Sequence, residues 1–169
     1  DARTAGISPA VFEFLQRKRH VGFSVPACMP VNIIIGNNAT AVDAAGMEAE
    51  RLDYSHAMQS AAKPEGAAEE IGRHLAQMAL AMRAGPGPDC LISGGEPVVT
   101  LCDASRRGKG GRNQQLVLAA LERLAADGAV GIAILSGGTD GEDGPTDAAG
   151  AVLNASILAA ARERRLDPA

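Results

Sequence analysis

At 169 residues and 46% hydrophobic content the chain is long enough to bury a core and too apolar to stay disordered. A net charge of −4 and 2% aromatic residues give neither the basic footprint nor the stacking platforms that nucleic-acid binding requires. Cys28, Cys90 and Cys102 are odd in number and far apart. His20, His56 and His74 stand at metal-ligand spacing from none of them, so a disulfide framework and a zinc site are both excluded and a reducing, cytoplasmic setting fits best.

In chain order, the opening at Asp1, with neither initiator Met nor a signal-peptide pattern, reads as a piece cut from something longer. The uncharged stretch Val21 to Val42 has the length of a membrane span, but Pro26, Pro30, Asn32, Gly36, Asn37 and Asn38 interrupt it, so no membrane helix is expected. Val31 to Ile35 reads as a buried strand of a parallel sheet, followed by turn residues Gly36-Asn37-Asn38. Asn37 or Asn38 then caps a helix running to about Leu52. A short strand follows around Tyr54 to Gln59. Pro64 takes a first-turn position for a long helix whose Ile71, Leu75, Met78 and Met82 share one face. Gly85-Pro86-Gly87-Pro88 stops that helix and marks the expected domain boundary.

Beyond it, Cys90 to Glu96 and Val98 to Cys102 read as two strands joined by a turn. A polar loop, Asp103 to Gly110, leads to a helix from about Gly111 to Ala126 with Leu116, Ala120, Leu121 and Leu124 on one face. Val130 to Leu135 is expected as a buried strand, and Val152 to Arg164 as a short strand or turn and then a helix. This alternation argues for an α/β fold, a three-layer α/β/α arrangement with a mostly parallel sheet.

One local pattern occurs twice: Leu91-Ile92-Ser93-Gly94-Gly95-Glu96 and Ile134-Leu135-Ser136-Gly137-Gly138-Thr139-Asp140. Each is an apolar strand ending in Ser-Gly-Gly and followed by an acid. In an open α/β sheet ligands bind beyond the carboxyl ends of strands, where glycine lets backbone N–H groups approach an anion; the bland alternative is a tight turn that needs glycine for its own sake. Standard motifs do not fit these loops. Leu91 and Ile134 stand where a nucleophile elbow needs glycine, Gly144 and Ala151 break an EF-hand counted from Asp140, and Gly110 follows Lys109 where a Walker A loop needs Ser or Thr. A dinucleotide fingerprint starting at Gly108 fails at Asn113.

Arg107-Gly108-Lys109-Gly110-Gly111-Arg112-Asn113-Gln114 remains as a basic, glycine-rich approach to a helix N-terminus, suited to a phosphate or carboxylate. An arginine beside the positive end of a helix is unfavourable unless an anion offsets it. With Asp140, Glu142, Asp143 and Asp147 the chain holds the parts of phosphoryl transfer: cations for phosphate oxygens and carboxylates for Mg²⁺ or a substrate hydroxyl. A non-catalytic phosphate-binding module could use the same parts.

The strings Leu91-Ile92-Ser93-Gly94-Gly95-Glu96, Gly110-Gly111-Arg112-Asn113-Gln114, Ser136-Gly137-Gly138-Thr139-Asp140-Gly141 and Asp143-Gly144-Pro145-Thr146-Asp147-Ala148-Ala149-Gly150 resemble, in order and spacing, the MOFRL domain of class II glycerate kinases. Ile34 to Ala41 resembles the strand, turn and helix near the end of that family's larger N-terminal domain. The resemblance implies residues 1–85 as the C-terminal part of a Rossmann-like kinase domain and 86–169 as a MOFRL-like α/β domain incomplete at its C-terminus. It also implies a kinase that uses ATP and Mg²⁺ to phosphorylate D-glycerate, usually giving 2-phosphoglycerate. Arg112 and Asp140 are then the catalytic candidates. Gly94, Gly95, Glu96, Lys109, Gly110, Gly111, Asn113, Gln114, Gly137, Gly138 and Thr139 are candidates for substrate or phosphate binding, and Asp140 and Asp147 for the metal. The family's lysine-bearing, Gly-rich N-terminal segment and its C-terminal Gly-Pro-Thr-x-Thr-Asn segment have no counterpart here, which implies a fragment inactive on its own, with the N-terminal half of the same polypeptide as its partner. Gln115 stands where many relatives carry Glu. The family's older label, hydroxypyruvate reductase, makes an NAD(P)H-dependent reductase the alternative enzyme.

Overall fold

The computed structural model describes residues 8–18, 31–61 and 66–168, so the expected roles of His20, Cys28 and Pro64 lie outside the described residues. The chain divides into two compact units, Asp1–Ile34 and Ile35–Ala169. The first contributes helix α1 (Pro9–Lys18), which has no counterpart among the expected elements.

The second unit runs α2 (Asn38–Arg51), β1 (His56–Ser60), α3 (Ala68–Ala84), β2 (Cys90–Gly94), α4 (Arg112–Leu124), β3 (Ala133–Gly137), β4 (Gly150–Asn154) and α5 (Ala155–Glu163). Helix α2 starts with a capping box: the Asn37 side chain accepts from Thr40 N at 3.0 Å, and Thr40 Oγ1 accepts from Asn37 N at 3.3 Å. Asn154 caps α5 with its side chain alone, accepting from Ile157 N at 3.0 Å. Gly85 ends α3, as expected.

β1 and β2 pair in parallel from His56↔Cys90 to Ser60↔Gly94, and α3 provides the crossover that parallel strands require. Asp89 fixes the start of this pair by accepting from Ser55 N at 3.1 Å and Ser55 Oγ at 2.6 Å. The Ser55 hydroxyl and backbone N–H hold that carboxyl below the usual carboxylate range. β3 and β4 pair antiparallel, from Ala133↔Asn154 to Gly137↔Gly150. No helix intervenes between them, so the chain simply returns alongside itself. The α/β class therefore stands, with one parallel and one antiparallel pair.

Three expected strands differ. Val31 to Ile35 is extended but pairs with nothing among the described residues, and its apolar side chains are exposed, Ile35 by 96%. An apolar run becomes a buried strand only where a neighbouring strand accepts its hydrogen bonds. Val98 to Cys102 shrinks to a single bridge, Ala67↔Val98, because Val98 bonds Gly66 and Ala68 while the residues after it find no partner strand. The Val130 strand begins later, at Ala133, because Gly131 adopts a φ of +73° in a turn that leaves Val130 exposed.

The core lies between α3, α4 and the β3–β4 pair. Leu116, Ala120, Leu121 and Leu124, expected on one face of α4, are all buried, together with Ile134, Leu153 and Leu158. Helices α3 and α4 approach closely because Gly72 faces the Leu116 carbonyl, where a Cβ would overlap the oxygen. Ala68, Ala76 and Ala120 extend the same small-residue contact. The Gly85–Pro88 segment sits inside the second unit, between α3 and β2. No helix among the described residues is long and apolar enough to cross a membrane.

Candidate active site

Strand β2 ends in Ser93-Gly94-Gly95-Glu96 and strand β3 in Ser136-Gly137-Gly138-Thr139-Asp140. They belong to different strand pairs, yet both loops border one open cavity of about 1500 Å³. Arg112 and Asn113, at the start of α4, line it too, as do Glu142, Asp143 and Gly144. Of the residues singled out from the sequence, Gly94, Gly95, Glu96, Arg112, Asn113, Gly137, Gly138, Thr139 and Asp140 thus meet at this cavity. Lys109, Gly110, Gly111, Gln114 and Asp147 are not part of its lining, and Lys109 and Asp147 are exposed.

The α4 N-terminus is organised by a residue from a distant loop. Its N-cap, Gly111, has no side chain to offer, and its first turn contains no acid. Asp143 fills that role: its Oδ1 accepts from Asn113 N and Nδ2, each at 3.0 Å, and its Oδ2 accepts from Gln114 N at 2.9 Å. The residue is 2% exposed. Burial alone would raise its carboxyl, but the backbone N–H groups of Asn113 and Gln114, followed by their side chains, hold it below the usual carboxylate range. The same contact explains the glycine directly before Arg112, since a Cβ on Gly111 would lie 2.5 Å from Asp143 Cγ, while Gly110 takes a φ of +60°.

Further bonds tie the acidic loop down. Gln114 Nε2 donates to Thr146 Oγ1 at 3.0 Å, Thr146 Oγ1 donates to the Asp143 carbonyl at 2.7 Å, and Ser136 Oγ donates to Asn113 Oδ1 at 2.7 Å. Asn113 and Gln114 therefore spend their amides on holding α4, β3 and the loop together. The Gln115 side chain donates to Glu69 on α3.

Arg112 is held differently. Its Nη1 donates to Glu96 Oε1 at 2.7 Å, and the two side chains are 46% and 76% exposed. The unfavourable placement of a guanidinium at a helix N-terminus is thus offset from within the chain, by Asp143 against the backbone and Glu96 against the side chain. Arg112 still faces the cavity, with a pairing loose enough for another anion to compete for it.

Asp140 Oδ1 accepts from Glu142 N at 3.1 Å, shaping the turn after Gly138. Among the described residues no three of His, Cys, Asp and Glu gather closely enough to hold a metal ion. Asp143, grouped in the sequence with Asp140, Glu142 and Asp147 as a carboxylate for Mg²⁺ or a substrate hydroxyl, is instead buried and spent on the start of α4. The available signal was a helix start with neither a capping side chain nor an acid of its own, which calls for a cap from elsewhere.

Residues 89–169 match the family model described as the MOFRL family. The chain is 36% identical to the glycerate kinase of Bos taurus over 180 residues, covering 82% of this chain and 34% of that protein. It is 33% identical to the glycerate 2-kinase of Pyrococcus horikoshii over 140 residues, covering 80% and 30%. The crystal structure of a glycerate kinase from Thermotoga maritima superposes with a TM-score of 0.69 at 33% identity, over 80% of this chain and 32% of that one. The chain thus spans about a third of the length of the relatives it matches. The family match runs from Asp89 to Ala169 and takes in both Ser-Gly-Gly loops, Arg112 and the Asp143 loop.

Proposed function

We propose that this chain is part of a cytoplasmic enzyme that transfers the γ-phosphoryl group of ATP to a hydroxyl of D-glycerate, giving 2-phosphoglycerate. Residues 1–85 would then end a Rossmann-like domain and residues 86–169 form the MOFRL-like domain, a division supported by the start of the family match at Asp89. The observation that carries the reading is Arg112 at the cavity between two Ser-Gly-Gly loops, its guanidinium held by the exposed Glu96 carboxylate and, at 3.5 Å, by the Pro97 carbonyl.

Phosphoryl transfer asks the protein mainly for positioning and charge stabilisation. Arg112 supplies a planar fork matched to phosphoryl oxygens, and Glu96 holds that fork in place until a phosphate competes for it. The loops of Gly94-Gly95 and Gly137-Gly138 border the cavity, and Gly94 and Gly138 are demanded by packing, since a Cβ there would meet Asn38 and Val42 or the Glu142 carbonyl. Asp140, among the carboxylates that line the cavity, is suited to orient a substrate hydroxyl. Mg²⁺ usually binds through one or two carboxylates together with substrate phosphates and water. On that pattern Asp140 fits a shared site, whereas Asp147 lies outside the cavity lining. When bound, the ion would offset phosphate charge.

The test is ATP- and glycerate-dependent ADP release by the full-length polypeptide that contains this chain, with product position read by ³¹P NMR and NADH oxidation by hydroxypyruvate run alongside. Glycerate-dependent ADP release supports the kinase. NADH oxidation without it would replace the kinase by a reductase. The 169-residue chain by itself is expected to show no turnover, and ADP release from it that Arg112→Ala abolishes would overturn that expectation.

A further inference from the structure

We propose that Asp143 is a positioning residue that sets the geometry of Arg112 and of the Asp140 loop together, acting through the backbone and Asn113 rather than on the substrate. The inference rests on the kinase reading for its functional half and on geometry alone for its structural half.

Three pieces of chain meet around Asp143 and its partner Asn113, and the first turn of α4 bonds the carboxylate directly. The first turn of α4 donates to it through Asn113 N, Asn113 Nδ2 and Gln114 N. The end of β3 joins through Ser136, which donates to the same Asn113 amide. The loop carrying Asp140 belongs to Asp143's own segment and is closed behind it by Thr146 on the Asp143 carbonyl. Arg112 immediately precedes the residue bonded twice to Asp143, and Asp140 lies three residues before Asp143. One group therefore bears on where Arg112 and Asp140 stand at the cavity.

The chemistry of the carboxylate argues against a direct role. It is 2% exposed, and three of its roughly four acceptor positions are taken. To bind a metal or take a proton it would have to abandon bonds that keep it ionised. The glycine at position 111 points the same way, since that position has no room for a side chain beside the carboxylate. Charge placement gives the latch its value. With Asp143 neutralising the helix end and Glu96 holding the guanidinium, Arg112 is oriented before an anion arrives, and preorganised donors lose less on binding than mobile ones.

The experiment uses the 169-residue chain carrying Asp143→Asn or, as a second variant that keeps the charge, Gly111→Ala. NMR follows the Arg112 Nε–H resonance and the exchange of the Asn113 and Gln114 amides, and ATP is the titrant. Both variants are expected to speed exchange of those amides, to shift the Arg112 Nε–H signal away from its Glu96-paired position, and to weaken ATP binding about tenfold. Combining Asp143→Asn with Arg112→Ala should then weaken ATP binding no more than Arg112→Ala does alone, because Asp143 works through Arg112. A lowered thermal midpoint with an unmoved Arg112 signal reduces Asp143 to a structural cap and overturns the proposal, as does strict additivity in the double variant. If the 169-residue chain does not bind ATP, the Arg112 signal and the amide exchange alone decide whether Asp143 positions Arg112, and an unmoved Arg112 signal overturns the proposal.

Discussion

Gly111→Ala isolates the contact on which the candidate site depends. The backbone at Gly111 is extended, at φ 171° and ψ 140°, so alanine meets no conformational strain there. What it meets is Asp143: an ideal Cβ lies 2.5 Å from Cγ and 2.7 Å from the carbonyl oxygen. Carbon atoms rest roughly 3.5–4.0 Å apart, so the carboxylate must retreat by about 1 Å. Bonds of 2.9 and 3.0 Å to the Gln114 and Asn113 amides do not survive such a shift. Losing a helix cap costs about 0.5–2 kcal/mol, and losing hydrogen bonds to a buried charge about 1.5–3 kcal/mol each. These costs overlap and cannot be added in full. Alanine returns about 0.4–1 kcal/mol by restricting the unfolded chain. The expected net loss is about 2–4 kcal/mol, or roughly 5–15 °C in thermal midpoint for a chain of this size. Urea unfolding and calorimetry measure both quantities. Gly108→Ala serves as the control, because a Cβ at Gly108 has no neighbour within 4 Å. Its effect should stay within about 0.5 kcal/mol. A Gly111→Ala chain as stable as wild type would show that Asp143 does not cap α4 in solution.

The remaining predictions concern charge and core. Because folding lowers the Asp143 carboxyl, its stabilisation is complete above the ordinary carboxylate range and disappears as pH falls through the folded-state value; Asp143→Asn should therefore flatten the acid limb of a urea-midpoint profile, and an unchanged slope would count against it. Leu124 is fully buried between α3 and the β3–β4 pair, and Leu124→Ala should cost about 3–5 kcal/mol by chemical denaturation. Arg112→Ala should leave the thermal midpoint nearly unchanged, since an exposed ion pair is worth about 0–1 kcal/mol, while lowering turnover of the full-length enzyme by about 10³ or more if Arg112 clamps the phosphoryl group. Arg112→Lys should restore only part of that turnover, because an ammonium keeps the charge and loses the fork. Loss of turnover matched by a collapse in midpoint would reassign Arg112 to structure.

The elements legible in the sequence are those whose determinants are local. Asn37 and Asn154 announce helix starts because a cap acts within three residues, and Leu116 to Leu124 announce a buried face because helical spacing is a property of the helix alone. Strands are less legible, since each needs a partner that its own residues do not name. Val31 to Ile35 has a strand's composition and no strand beside it among the described residues, whereas β4 begins at Gly150, where composition says little and the partner β3 decides.

The same distinction explains the site. Glycines after a strand and an arginine before a helix can be read as motifs, and they do meet at one cavity. What the motifs could not convey is which acid belongs to which cation. Read by charge alone, Asp140, Glu142, Asp143 and Asp147 are equivalent, and Arg112 seems to require an external anion. Burial separates them: Asp143 is inside and spent on the α4 backbone, Asp140 borders the cavity, and Asp147 is exposed away from it. Glu96, more than forty residues before any of these, then takes the guanidinium. A helix that begins Gly-Gly-Arg without a cap of its own is unstable by every local rule, and it folds because a loop thirty residues downstream supplies the missing carboxylate. That dependence makes the start of α4 and the Asp140 loop a single structural unit, so a ligand that displaces Glu96 from Arg112 acts on a guanidinium whose backbone is already fixed.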